Sequence, residues 1–517
     1  MFSRNRPTEH VQWLIAVIVI VLSLTAALLP GARTIDDSYI TFRYARNLLA
    51  GDGFVFNPGD RVLGTSTPLY TLIMVALGSL FGGSGAPFPV IALYFNALAC
   101  SATCLLLWQF GRVFGSPLAG VSAALVWALA PYNVTFAVGG LETSLYVFLL
   151  TAAAYTSLQK KHTLSALACA LALVTRPDAL ILVVPLMIHR ACLALRQREP
   201  VSSIELMVFF LPLAAWYGFA WSYFGSPIPQ SVTAKMVAYQ LGTNASLIRL
   251  LQHYATPFAS QDTLGAFGVS VGFVLYPFLY LVGALRAMRI NQRTLFLILY
   301  PWLYLVIFAI PNPLIFRWYL SPPLPVYYLF ILLGFENILR SVLCIKIPLI
   351  GTFWRQCLLV LLVIAIPLYA TISEWQLRPD HGTNRPAPEM AWIKLELLYR
   401  RAADWLAPRI DDETLLAAGD VGVLGYYTPA RILDTVGLNS PMSTSYYPLP
   451  PEKLVINYAI PADLILDQSP DWLVVLEVYV RNTLLEDERF ITQYELVKSF
   501  DTDIYGSQGM LIYHKSD

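Results

Sequence analysis

Five stretches of this chain, Val11 to Pro30, Phe88 to Phe110, Glu205 to Phe224, Leu264 to Leu285 and Pro322 to Leu339, are apolar over the length that crosses a bilayer, about 17–25 residues. Shorter apolar runs lie at 117 to 132, 141 to 158, 163 to 175, 178 to 191, 294 to 310 and 356 to 373. Loops rich in Lys and Arg resist translocation and so decide which of these runs cross. The basic residues Arg4/Arg6, Arg112, Lys160/Lys161, Arg190/Arg196/Arg198, Arg286/Arg289/Arg293 and Arg340/Lys346/Arg355 all fall on one side when eleven segments span. The run from Pro68 to Phe81 must then lie on the outer surface, because a twelfth crossing would carry Lys160 and Lys161 outside. At about 13 residues it is short for a span in any case. Inner loops carry 14 basic residues against 8 on outer loops.

A cleaved signal peptide over residues 1 to 30 is a rival to the first span, since two arginines precede its apolar core. Its 20 apolar residues are long for that role, and the loop after it is outside either way. No internal repeat is evident, which weighs against an inverted-repeat transporter.

Composition agrees with a bilayer as solvent: of 517 residues 57% are hydrophobic and 13% charged, against about 25% charged in soluble domains. A purely soluble enzyme, a disordered chain and a nucleic-acid binder are excluded. Residues 1 to 373 hold 22 Lys+Arg and 11 Asp+Glu, whereas residues 374 to 517 hold 12 and 22. This split predicts a membrane domain over 1–373, with its first outer loop at 31–87, followed by an acidic water-facing domain over 374–517. The six cysteines, Cys100, Cys104, Cys169, Cys192, Cys344 and Cys357, lie in or beside apolar segments, so neither a disulfide scaffold nor a cysteine metal cluster is expected. Cys100 and Cys104 stand one helical turn apart, with no nearby His or carboxylate to complete a ligand set.

The first outer loop carries the most chemistry. Asp36 and Asp37 are adjacent, just past a span, and a helical pattern follows in which Tyr39, Phe42, Arg43 and Arg46 recur. Adjacent carboxylates repel, which favours a raised pKa in one of them. Asp36 can cap the short helix and Asp37 can favour its positive end. Capping alone does not require two acids beside an aromatic and arginine stripe at the membrane face.

The stretch D-D-S-Y-I-T-F-R-Y-A-R-N-L-L-A-G-D-G-F-V-F-N-P-G-D-R-V, followed by S-T-P-L-Y, resembles the first periplasmic loop of bacterial GT-C glycosyltransferases, especially the arabinofuranosyltransferase-like group of cell-wall enzymes. The resemblance continues through G-G-L-E-T (139 to 143), T-R-P-D-A (175 to 179), F-G-S-P-I-P-Q-S-V-T-A-K (224 to 235) and F-R-W-Y-L-S-P-P-L-P (316 to 325), each on the outer side in the charge-derived topology. It implies a polytopic helical fold of about eleven spans with an extracytoplasmic α/β domain. It also implies transfer, with inversion, of a sugar from a polyprenyl-phosphate donor to a glycan or glycolipid acceptor outside a bacterial cytoplasmic membrane, with the N-terminus inside. Arabinofuranose is the expected sugar, and an acid of the first loop, Asp36 or Asp37, the expected base.

Such a transfer needs a carboxylate to deprotonate the attacking hydroxyl, and cations aimed at the departing phosphate. Lys235, Arg317 and Arg176 are the expected phosphate partners. Lys235 reads equally as a headgroup lysine, and Arg317 as a snorkelling anchor beside Trp318 and Tyr319. Arg176 and Asp178 interrupt an apolar run, where an ion pair and a substrate contact are both open readings. Glu142 can cap the following helix, or orient an arginine or a substrate hydroxyl, and Tyr39, Arg43, Asp178 and Tyr319 are further expected substrate contacts. Asp36, Asp37 and Glu142 could hold Mg²⁺ or Ca²⁺, but adjacent acids are a weak motif and no metal or other cofactor is expected. A transporter or lipid-sugar flippase is the alternative; it should gather polar groups near the bilayer midplane.

In the tail, Met390 to Leu406 has helical periodicity, while T-L-L-A-A-G-D, R-I-L-D-T-V-G-L, W-L-V-V-L-E-V-Y-V and M-L-I-Y-H-K read as strands. Asp420 and Asp434 end strand-like runs. The G-D-V-G-V-L-G-Y-Y run lacks dinucleotide-site spacing. In the resembling enzymes a similar tail, including D-T-V-G-L-N-S-P at 434 to 441, accompanies the membrane domain, which implies help in holding the acceptor glycan.

Overall fold

The computed structural model describes residues 9–196, 199–344, 351–378 and 382–516. Arg4, Arg6, Arg198 and Lys346, four of the residues that orient the topology, lie outside these, as does the side chain of Cys344.

Among the described residues eight helical stretches are long and apolar enough to cross a membrane. They contain α1 (Glu9–Leu28), α4 (Phe88–Val113), α9 (Leu180–Arg196), α10 (Ser203–Phe224), α13 (Gln261–Ile290), α14 (Leu295–Ala309), α15 (Leu324–Cys344) and α16 (Thr352–Ile372). A ninth span forms if α5 (Pro117–Leu129) and α6 (Pro131–Val138) count as one, bent by 45° at Ala130. The two other expected spans are α7 (Thr143–Leu158) and α8 (His162–Thr175), of 16 and 14 residues. At 1.5 Å per residue they reach roughly 21–24 Å, short of the apolar core, about 30 Å thick. The pair packs together, and α7 buries most of its residues against neighbours, so little of it needs to match the lipid.

Among the described residues four α-helices lie in the connections between spans at the opposite end from Arg112, Lys160 and Arg286: α2 (Asp36–Ala50) and α3 (Pro68–Leu80) in one, and α11 (Gln230–Ala238) and α12 (Ala245–Ala255) in another. Helix α2 has both acids in its first turn, where they favour the positive end of its dipole, and stops where Gly51 turns left-handed at φ +95° and donates back to Asn47 and Leu48.

A short hairpin, β1 (Trp375–Gln376) with β2 (Ala387–Pro388), leads into the tail. There α17 (Lys394–Leu406), β3 (Leu415–Ala418), α18 (Gly422–Tyr427), β4 (Arg431–Asp434), α19 (Ala462–Gln468), β5 (Trp472–Leu476), α20 (Glu488–Gln493), β6 (Tyr494–Phe500) and β7 (Met510–Lys515) build one five-stranded sheet. Its order is β4-β3-β5-β7-β6, with β4, β3 and β5 parallel and β7 and β6 antiparallel. The four strand-like runs and the helix read from the tail sequence are all present. β6 escaped the reading because it is an edge strand, exposed from Glu495 to Ser499, in which Lys498 breaks the alternation of Tyr494, Leu496 and Phe500.

The tail sits on the loop between α1 and α4 through largely buried polar contacts. Arg43 donates to the carbonyls of Gly425 at 2.7 Å and Ala430 at 2.9 Å, and Arg46 to that of Tyr426 at 2.7 Å. Asn57 pairs its side-chain amide with both backbone groups of Ile432.

Candidate active site

Asp36 and Asp37 start the same helix and face different surroundings. Asp36 is buried, and it does not cap its own helix, whose N-cap is Ile35. Its Oδ2 accepts the Gly422 N–H at 2.9 Å and its Oδ1 the Val423 N–H at 2.7 Å, so it caps α18 in the tail instead. Burial, with the nearby Asp420 charge, pushes the Asp36 carboxyl well above the ordinary carboxylate range against the pull of those two N–H groups. Asp37 is a third exposed and opens on a cavity of about 820 Å³.

The polar end of that cavity comes from connections at one end of the bundle: α2, the Thr65–Thr67 turn before α3, the turn before α7, the turn between α8 and α9, α11, and the segment from Pro311 to Tyr319. These segments are far apart in sequence and were assigned to one side by charge alone. Gly140 makes the close approach behind the wall possible. It adopts φ +76°, and an added Cβ would stand 3.1 Å from the Phe42 ring.

The cavity brings together six of the expected residues: Asp37, Glu142, Arg176, Asp178, Lys235 and Tyr319. Lys235 Nζ lies 3.5 Å from Asp37 Oδ2 and stands over the Phe316 ring at 4.4 Å and the Trp318 ring at 5.4 Å. Burial opposes its charge, but the Asp37 carboxylate more than offsets this, so its pKa lies above the ordinary lysine value. One helical turn before it, Ser231 Oγ is buried with no hydrogen-bond partner and belongs to the same cavity wall. The hydroxyls of Thr65, Thr67 and Thr41 form a chain on the facing wall, with separations of 3.3 and 3.4 Å.

Arg176 is held differently. Its Nε and Nη2 each donate to Asp178 at 2.9 Å, its Nη1 to Glu142 at 3.3 Å, and Tyr146 and Tyr319 sandwich the guanidinium at 4.7 and 4.8 Å. Two carboxylates therefore more than neutralise it. It is the centre of a buried ionic triad and not a cation open to an incoming phosphate.

The other expected contacts lie elsewhere. Arg317 donates to the Met390 carbonyl at 2.9 Å and does not line the cavity, so it anchors the segment that enters the tail. Tyr39 packs against Phe42, Tyr426 and Tyr427 at 5.2–5.8 Å, and Arg43 is consumed by backbone carbonyls. Both belong to the docking surface for the tail. Sequence reasoning overlooked Ser231, Thr41, Thr65, Thr67 and Tyr239; the T-S-T-P and Q-S-V-T-A-K runs carried the signal, as hydroxyls one turn from a charge or just before a helix.

Away from its polar end the cavity is walled by Leu180, Ile181 and Val184 of α9 and by Leu303, Ile307 and Phe308 of α14. Leu180, Val184 and Ile307 are 45–52% exposed, so the apolar end opens at the exposed faces of two helices long and apolar enough to span a membrane. Among the described residues no group of three or more His, Cys, Asp and Glu could hold a metal ion.

Comparison with known proteins gives this arrangement a context. Residues 389–513 match a family model described as a domain of unknown function, DUF8728. A stretch of 116 residues is 34% identical to the terminal β-(1→2)-arabinofuranosyltransferase of Mycobacterium tuberculosis, covering 21% of this chain and only 18% of the relative's length. Among solved structures, ArnT from Cupriavidus metallidurans bound to undecaprenyl phosphate is similar with a TM-score of 0.54 at 11% identity, covering 98% of each chain. The arabinofuranosyltransferase AftD from mycobacteria is similar at 0.50 and 16%, covering 99% of this chain and 40% of that one. At such identities these likenesses establish the fold, that of the GT-C membrane glycosyltransferases.

Proposed function

We propose that this chain, a polytopic membrane protein of the GT-C fold, is an inverting glycosyltransferase that takes a sugar from a polyprenyl-phosphate donor and passes it to a glycan or glycolipid acceptor on the outer face of a bacterial cytoplasmic membrane. One observation carries the reading: a single cavity joins a carboxylate and a lysine at its polar end to an apolar slot open to lipid at the other. A polyprenyl phosphate has the same division, a charged head on an apolar tail.

Asp37 is the base in this reading. It takes the proton of the acceptor hydroxyl as that oxygen bonds to the anomeric carbon, while the bond from that carbon to the phosphate oxygen breaks on the opposite face. Lys235 and the unpartnered Ser231 hydroxyl receive the negative charge that grows on the departing phosphate, which is where fixed donors lower the barrier most. No metal is assigned a part, because the leaving phosphate monoester can be matched by the lysine. The Arg176 triad shapes the wall and holds Glu142 and Asp178 toward the space where sugar hydroxyls would lie. The polar groups gather at one end of the bundle, as suits transfer at a membrane face; a transporter would gather them at the midplane. Arabinofuranose is the sugar we propose, on the strength of the partial likeness to the mycobacterial enzyme.

The test is release of free polyprenyl phosphate by the protein in lipid, with a panel of polyprenyl-phosphate sugars and an acceptor extract. Release that is lost in Asp37→Asn but kept in a donor-selective way by wild type supports the reading. Absence of release with every donor and acceptor contradicts it.

A further inference from the structure

A second cavity, of about 180 Å³, lies toward the end of the bundle that carries Lys160, away from Asp37 and Lys235. It is enclosed by α8, α9 and α10, with Ser157 of α7 at its edge. His162 starts α8, Glu205 is in the first turn of α10 and Arg190 lies in the second half of α9, so these three lining residues mark one polar end. Cys169, Leu186 and Phe209 line it one to two helical turns further in and are buried and apolar. Met187 on α9 and Leu206 and Phe210 on α10 are 39–54% exposed, so the cavity opens between the outward faces of two helices long and apolar enough to span a membrane.

Printed through direct contacts, a basic cluster adjoins the polar end. Arg190 donates to Glu205 through Nε at 2.7 Å and Nη2 at 2.9 Å, and to the carbonyls of Glu199 and Pro200 at 2.9 Å, which ties the connection between α9 and α10 across the end of the cavity. That ion pair is neutral in sum. Glu199 is outnumbered: Lys160 Nζ at 3.4 Å and Arg293 Nη2 at 3.1 Å share its Oε1. With the exposed Lys161 beside Lys160, these groups carry four positive charges against two negative. His162 Nε2 is buried, stands 3.6 Å from Glu199 Oε2, and has no hydrogen-bond partner among the described residues, whereas buried polar atoms ordinarily have one. A soluble anion would meet the cations and leave the apolar space empty, forfeiting its dispersion contacts. An uncharged chain would fill the space and leave the excess charge unmatched. An anionic lipid satisfies both, and basic pockets between spanning helices hold lipid head groups in this way.

We infer that this cavity binds an anionic glycerophospholipid of the bilayer, its phosphate at Lys160, Lys161 and His162 and one acyl chain between α8, α9 and α10. The site takes part in no transfer step, so binding alone tests it and its failure leaves the transferase reading untouched. The full chain in detergent is titrated with dioleoyl-phosphatidylglycerol or dioleoyl-phosphatidylcholine, which share acyl chains and differ in head-group charge, and native mass spectrometry counts the lipids bound. Wild type should hold one phosphatidylglycerol about tenfold or more tighter than phosphatidylcholine. Lys160→Gln with Lys161→Gln should bring the two Kd values together, and Met187→Trp, which fills the mouth, should weaken both lipids. The two lysines are exposed, so their variant keeps the test sound if Met187→Trp fails to fold. Lys235→Gln, in the other cavity, should bind phosphatidylglycerol as wild type does. Equal Kd values for the two lipids in wild type would overturn the site. So would phosphatidylglycerol binding that a folded Met187→Trp leaves unchanged, which would put the lipid on the surface alone. Binding lost in Lys235→Gln would assign the lipid to the Asp37 cavity and overturn it as well.

Discussion

Asp36 Oδ1 accepts the Val423 backbone N–H at 2.7 Å, so an acid of the first connection between spans caps a helix that lies 386 residues further along the chain. Its neighbour Asp37 opens on the cavity, and the two therefore fail differently when changed. Asp36→Ala leaves two buried N–H groups unsatisfied, each worth about 1–3 kcal/mol. Its main effect should be faster amide exchange across 422–427 and a lower unfolding midpoint. Asp37→Asn should leave exchange as it is and lower polyprenyl-phosphate release by about 10²–10⁴. Unchanged exchange in Asp36→Ala would remove the capping role.

The two cations of the cavity should separate in the same way. Arg176→Gln strips the only cation from a triad with Glu142 and Asp178, and breaking such a buried pair costs about 3–5 kcal/mol. Thermal unfolding should drop sharply, and Arg176→Gln with Asp178→Asn together should recover part of the loss. Lys235→Gln should fold as wild type does, because Lys235 has one partly exposed ionic partner, and lose donor affinity and turnover. A Lys235 variant as unstable as the Arg176 one would argue against this division.

That these connections share one end of the membrane part is legible because cationic loops and apolar length are one-dimensional signals, and every loop the charges group together meets at this cavity. What could not be read is which side of a helix each residue takes. Asp36 and Asp37 are about 100° apart on α2, and only tertiary packing makes one a cap and the other a cavity wall. Arg43 and Tyr39 looked like site residues for the same reason. They form a stripe at helical spacing, and the stripe faces the tail, whose approach no local pattern announces. Arg176 and Asp178 are legible as an ion pair in an apolar run; that Glu142, 34 residues away, is the second carboxylate on the same arginine is not.

The sideways opening predicts a steric test. Val184 on α9 and Ile307 on α14 border the apolar end of the cavity and are 45% and 47% exposed. Val184→Trp or Ile307→Trp adds bulk there without touching Asp37 or Lys235. The KM for a long-chain polyprenyl-phosphate donor should rise severalfold, while a donor with a short, water-soluble lipid tail should be used as before. Equal effects on both donors would place the lipid elsewhere.

The docking of the tail should strengthen as pH falls. Burial, with the Asp37 charge, pushes Asp420 up to about 6, and burial pushes Glu396 up to about 7, with Arg317 opposing and Asp420 adding to it. Asp36 is raised in the same sense. The folded chain thus holds protons that the unfolded chain has released, so stability decreases with rising pH wherever that excess exists. The contribution of Asp420 is full below about 4 and lost as pH rises through about 6, and that of Glu396 is full below about 4.5 and lost through about 7. Amide protection at Gly422 and Val423, corrected for intrinsic exchange, should be greater at pH 5 than at pH 8. Asp420→Asn with Glu396→Gln should reduce that dependence, because neither amide can ionise, and leave the part that Asp36 carries. A slope as steep as that of wild type would assign the pH response to other groups.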